Sequence, residues 1–249
     1  MLTAYAEINI NTNILTFYYK DINLNEYAII EPRSGYYTKD NNAIFLLTED
    51  TYILDYDDLN WWIYKDIIIK VVFDKSFINF KPLYTSHWFY SMENIKSIEG
   101  MEYLNTDDLI DCRSMFARCH NLETIDLSHF NTTKVQNMSF MFLECFKLTQ
   151  LDLSTFSNDG LVLETPKDTA YGKGIAGMFE NCHLLKTIFV SNKWKDNLLF
   201  ANWGWVFKDC PALIGGQGSI PDDPEYDGPF AHVDGGEEDP GYFTLKKED

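Results

Sequence analysis

The most informative part of the sequence is Met115-Phe116-Ala117-Arg118-Cys119-His120-Asn121-Leu122, because its pattern returns along the chain. Met-Phe, two residues, Cys, two residues and an aliphatic residue recur at Met141, Met178 and, with Val in place of Met, at Val206. A degenerate copy begins at Trp88. A recurrence of this length is typical of repeat proteins, in which each unit buries its apolar side only against its neighbours. The pattern predicts an α/β solenoid, a short leucine-rich-repeat array of about five coils.

Each copy predicts one strand and one helical arm. In Leu122 to Leu127 the apolar residues Ile125 and Leu127 are two apart, which predicts a short strand with Thr124 and Asp126 facing outward. Val135, Met138 and Met141-Phe142 are spaced as on a helix, which predicts a short helical or irregular arm on the opposite side.

The regions outside the repeats predict caps. Residues 1–80 predict a β-rich N-terminal cap: a hairpin of residues 4–10 and 14–19, then strands at Ile44–Leu47 and Ile67–Phe73. We assign residues 81–216 to the repeats, with an insertion near 159–177 that is rich in glycine and bulges out as a loop. Residues 217–249 predict an acidic C-terminal capping tail, in which residues 242–245 add a final strand.

The cysteines of the repeats predict packing positions. One in-phase cysteine per copy is what a stack produces when every unit needs the same small apolar group, and a free thiol is such a group. Disulfides between neighbouring copies and zinc ligation by Cys-His pairs remain alternatives, although the odd count and a row of ligands fit neither well. The predicted structural ladder is Cys119, Cys145, Cys182 and Cys210.

Composition restricts the function classes. The 249 residues include 38 acidic and 20 basic ones, for a formal charge of −18, which predicts no nucleic-acid partner. No apolar run is long enough for a membrane-spanning helix. The start, Met1 to Glu7, lacks the cationic and apolar segments of a secretory signal peptide.

The unit from Met115 to Met138 resembles the repeat of the BspA-like leucine-rich-repeat proteins of Bacteroidales and related organisms. That repeat reads Met-Phe-x-x-Cys-x-x-Leu-x-x-Leu-Asp-Leu-Ser-x-Phe-Asn-Thr-x-x-Val-x-x-Met, and this chain contains it almost whole. Residues 231–236 and 240–244 are also similar to the family's close. The resemblance implies a non-catalytic adhesion or protein-interaction protein, at the cell surface or secreted, that binds a protein or glycan macromolecule and needs no cofactor.

The outward strand positions are the predicted binding surface. A row of small, polar and acidic groups on a rigid sheet favours adaptable contacts with a macromolecule. The predicted residues are Ser97, Glu99, Thr124, Asp126, Gln150, Asp152, Thr187 and Phe189.

Two other functions remain open from the sequence. One is a structural component of a phage particle or surface layer, which is favoured because residues 1–7 do not resemble a secretory signal peptide. The other is a carbohydrate-active enzyme that would use the acidic residues of the tail and the tryptophans at 61–62 and 203–205. Asp126 and Asp152 would also lie side by side as paired carboxylates. The enzyme is disfavoured because exposed strands lack the cleft that raises the pKa of a catalytic acid, and no nucleophile, phosphate-binding or metalloprotease motif is present.

Overall fold

A computed structural model describes residues 2–23, 28–31, 36–39, 42–49, 60–162, 174–195, 205–220 and 227–247. The first sheet begins with the antiparallel hairpin of β1 (Leu2–Asn9) and β2 (Ile14–Asp21), as the sequence predicts. β3 (Ala28–Glu31), β4 (Tyr36–Lys39) and β5 (Asn42–Leu47) extend it beyond β1. β6 (Lys70–Phe73) pairs parallel with β2, and β7 (Ser97–Glu99) pairs parallel with β6.

The prediction of an α/β solenoid is wrong. The described ranges form a mixed β-sheet fold with a seven-stranded sheet, ordered β3-β4-β5-β1-β2-β6-β7, and a three-stranded sheet. They contain no α-helix, only the 3₁₀ turns Asn60–Tyr64, Lys75–Asn79, Met101–Tyr103 and Gly228–Phe230. The strand predicted at Leu122–Leu127 is also missing. The strands before and after it in sequence, β7 and β8 (Gln150–Asp152), do not pair with that segment.

The arms predicted as helical or irregular are chains of turns. From Ser114 to Cys119, backbone N–H groups donate alternately to the next copy of the motif and to the carbonyl three residues back. Phe116, for example, donates to Met141 O at 3.0 Å, and Ala117 donates to Ser114 O at 3.2 Å. A helix cannot form, because alternate N–H groups leave the segment.

Left-handed residues produce these turns. Two positions per copy, four residues apart, have positive φ, and nine of the ten residues are not glycine. A left-handed residue interrupts a right-handed helix. The pairs are His87 and Ser91, Ser114 and Arg118, Phe140 and Glu144, Gly177 and Asn181, and Trp205 and Asp209.

A column of phenylalanine rings fills the core between the copies. Phe89, Phe116, Phe142, Phe179 and Phe207 stack in succession, with ring centroids 5.5–5.9 Å apart. The N-terminal sheet covers the first ring through the stacked pair Phe17 and Phe73, both of which meet Phe89 edge-on. The motif therefore places one aromatic ring per copy on a shared axis.

The C-terminal segment covers the last copy. β8 (Gln150–Asp152), β9 (Thr187–Val190) and β10 (Phe243–Leu245) form the parallel three-stranded sheet, so the final strand is present as predicted. Asp227 is buried, and its carboxylate accepts the N–H groups of Val206 and Phe207 at 2.7 Å each. In every earlier copy the N–H of that phenylalanine donates to the following copy, so Asp227 supplies the acceptor where the copies end.

A second carboxylate fixes the turn that follows the last copy. Asp234 accepts the N–H groups of Gln217, Ser219 and Gly236 at 2.6–3.1 Å. Burial would raise the pKa of Asp234, but the hydrogen bonds from these residues outweigh it and lower the pKa to about 2. The charged carboxylate therefore joins the end of the repeats to the C-terminal segment.

Candidate binding surface

The three-stranded sheet presents a half-exposed outer face. The side chains that point into the core are Leu151, Ile188 and Phe243. Within each strand, the residues next to these point outward. Gln150 lies directly opposite Thr187 in the register. On the next outward level, the register aligns Asp152 with Phe189, and Phe189 with Thr244. Two levels of polar side chains around one aromatic ring therefore share this face.

The structure does not place all predicted binding residues in one sheet. Ser97 and Glu99 belong to β7 of the N-terminal sheet, where Glu99 Oε1 accepts from Lys70 Nζ at 2.7 Å. Thr124 and Asp126 are exposed, on the segment that has no strand. The structure thus brings together Gln150, Asp152, Thr187 and Phe189 in one sheet, and Asp126 lies close enough for the charge of Asp152 to act on it.

Both outward aspartates are held by a turn of their own. Asp126 Oδ1 accepts the N–H of Ser128 at 2.9 Å, and Asp152 Oδ1 accepts that of Ser154 at 3.0 Å. The backbone and hydroxyl of Ser128 lower the pKa of Asp126. Burial would raise the pKa of Asp152, but hydrogen bonds from Lys246 and Ser154 outweigh it, and the pKa is lowered. Both side chains are therefore charged at neutral pH.

Lys246 is a member of this surface that the sequence reasoning missed. It follows β10, and its Nζ donates to Asp152 Oδ2 at 2.5 Å and to Ser154 Oγ at 3.5 Å. Since β9 lies between β10 and β8, the side chain crosses the outer side of β9. Thr244, Ser128 and Ser154 were also missed, although the repeated Asp-Leu-Ser at residues 126–128 and 152–154 was a signal for the serines.

The cysteine ladder is buried and contributes to packing. The thiols of Cys119, Cys145, Cys182 and Cys210 donate to the carbonyl of the motif phenylalanine one copy earlier, at 2.9–3.2 Å. All five cysteines are free. Burial raises the pKa of the Cys145 thiol to about 12 and also raises the pKa values of Cys119 and Cys182. Such thiols are poor nucleophiles at neutral pH.

Two tryptophan-containing segments of the chain differ in exposure. Trp61 is buried and donates from Nε1 to Trp88 O at 2.8 Å, so it packs the N-terminal sheet. Trp205 is 52% exposed, with Lys208 Nζ 5.0 Å from its ring centroid. Trp203 and most of the insertion, residues 163–173, lie outside the described residues.

Across the described ranges, no three His, Cys, Asp or Glu side chains are arranged to hold a metal ion. Within the same portion of the chain, no helix has the length and apolar character needed to cross a bilayer.

The comparisons with known proteins give one family match. Residues 84–194 match a family described as "Mycoplasma protein of unknown function, DUF285". No curated protein and no solved structure match the chain. The matched segment contains the copies of the motif that begin at Trp88, Met115, Met141 and Met178, so the similarity lies in the repeats and leaves strands β1 to β6 outside it.

Proposed function

We propose that the protein is a non-catalytic, macromolecule-binding repeat protein that uses the outer face of β8, β9 and β10 together with Thr124 and Asp126. The observation that carries this proposal is the register that sets Gln150 beside Thr187 and Asp152 beside Phe189. Side chains fixed to neighbouring strands are about 5 Å apart, which suits an extended ligand better than a small molecule. Kinship with BspA-like proteins is part of the proposal, and the match over the repeats is compatible with it.

The electrostatics of the two aspartates favour binding over hydrolysis. A glycosidase needs one carboxylic acid that stays protonated until it donates its proton, and such an acid has a raised pKa. The pKa values of Asp126 and Asp152 are both lowered. Neither side chain is therefore suited to act as the general acid.

The proposal is tested with matched arginine variants. Wild type, Gln150→Arg and Thr187→Arg are applied to an array of immobilised proteins and glycans. The control is Gln136→Arg, the same change at an exposed residue in another part of the repeats. The backbone N–H of Gln136 donates to Ile110 O, so the substitution leaves that hydrogen bond in place. We expect Gln150→Arg and Thr187→Arg to lose the captured spots and Gln136→Arg to keep them. Equal capture by all four proteins, or no captured spot with wild type, contradicts the proposal.

A further inference from the structure

The outer face already holds one lysine of the chain itself. Lys246 arrives on an extended segment, and its ammonium group lies between the Asp152 carboxylate and the Ser154 hydroxyl. Asp152 Oδ1 is occupied by the Ser154 N–H, so the carboxylate is fixed with Oδ2 toward the ammonium. The contact shows which chemistry this face accepts: a cation on an extended backbone.

The preceding copy of the motif builds the same pair of groups. Asp126 Oδ1 accepts the Ser128 N–H at 2.9 Å, as Asp152 Oδ1 does with Ser154. Both Asp126 and Ser128 are exposed. The two aspartates therefore have the same orientation relative to their turns.

We infer that the partner of this face is a polypeptide segment that carries lysine or arginine, with one of its cations bound by Asp126 and Ser128 as Lys246 is bound by Asp152 and Ser154. The inference rests on the proposed function and names the class of its ligand. The formal charge of −18 complements a basic partner and would attract it at long range. Phe189, Thr187 and Gln150 supply the neighbouring contacts to the backbone and stems of that segment.

The probe is a set of immobilised decapeptides of serine, threonine and glycine with zero to three lysines, and a matched set with glutamates. We expect capture to rise with the number of lysines, to fall with added salt and to be absent on the glutamate set. Asp126→Asn keeps an oxygen for the Ser128 N–H and removes only the charge, so it lowers affinity roughly two- to fivefold, as for an exposed ion pair.

Two further variants separate this site from bulk charge. Asp209→Asn makes the same change of charge at an exposed left-handed position, which asparagine tolerates, and leaves affinity unchanged. Lys246→Ala frees the Asp152 carboxylate and raises affinity for the lysine peptides. An equal loss in Asp126→Asn and Asp209→Asn, or no gain in Lys246→Ala, overturns the inference. Loss of array capture in Gln150→Arg without any lysine-dependent binding leaves the proposed function standing and removes only this ligand class.

Discussion

At the scale of single residues, the turns of each copy depend on left-handed positions that carry side chains. An L-residue in that conformation costs about 1–2 kcal/mol, and glycine avoids the cost. Only Gly177 uses glycine among these positions; His87, Ser114, Phe140 and Trp205 occupy the equivalent place in the other copies. Left-handed φ alone therefore does not explain the glycine, and its neighbour Phe140 does. A Cβ at Gly177 would come 2.4 Å from two ring carbons of Phe140.

We expect Gly177→Ala to destabilise the protein by about 1–3 kcal/mol, because the added methyl group overlaps the Phe140 ring. Phe140→Ala should cost less in the Gly177→Ala background than in wild type, since the clash is then already relieved. Urea denaturation of the two single variants and the double variant measures this coupling. Simple additivity of the two losses would show that the ring moves aside freely.

At the scale of elements, the last copy of the motif has an acceptor of its own in place of a following copy. Phe207 occupies the position whose N–H donates to the next copy at Phe89, Phe116 and Phe142. Asp227 accepts that N–H and the N–H of Val206. Both donors are buried, so water cannot readily replace the carboxylate.

Removal of this acceptor should loosen the last copy. Asp227→Ala leaves two buried N–H groups without the carboxylate, at a cost of about 1–3 kcal/mol each. Asp227→Asn retains one acceptor oxygen and should fall between Asp227→Ala and wild type. The free energy of unfolding in urea gives the order of the three proteins, and hydrogen exchange should quicken at Val206 and Phe207 before the copies near Met115. Uniform exchange throughout the repeats would count against a local role.

The same elements show how much the sequence could predict. The hairpin of β1 and β2, the strands β5, β9 and β10, and the burial of the motif cysteines follow from alternation and period, which the sequence displays directly. The sequence left open whether the arms are helical or irregular. Residues such as Phe140 and Arg118 give no sign of a left-handed conformation, whereas a glycine at those positions would have indicated one. Lys246 and Asp227 are distant in sequence from the residues that they contact. No local pattern in the sequence therefore connects either residue with its partner.

At the scale of the whole molecule, thiols and phenyl rings form one continuous core from the N-terminal sheet to the C-terminal segment. Each thiol depends on the copy before it, because its acceptor is that copy's phenylalanine carbonyl. Charge on any one thiol would therefore disturb the contact between two copies. The pKa values of Cys119, Cys145 and Cys182 are all raised by burial, so stability should fall at alkaline pH through several copies rather than at one site.

Burial raises the pKa of Cys145 to about 12, well above that of a thiol in the unfolded chain. A raised pKa in the folded state gives stability that is complete below the unfolded pKa and is lost as the pH rises toward the folded one. At pH 10 one such thiol should cost about 2 kcal/mol relative to pH 7. Cys145→Ser keeps a donor to the Phe116 carbonyl but cannot ionise, so its free energy of unfolding should fall less between pH 7 and pH 10. Urea titrations at both pH values measure the difference, and parallel losses in the two proteins would mean that Cys145 is accessible to water in the native state.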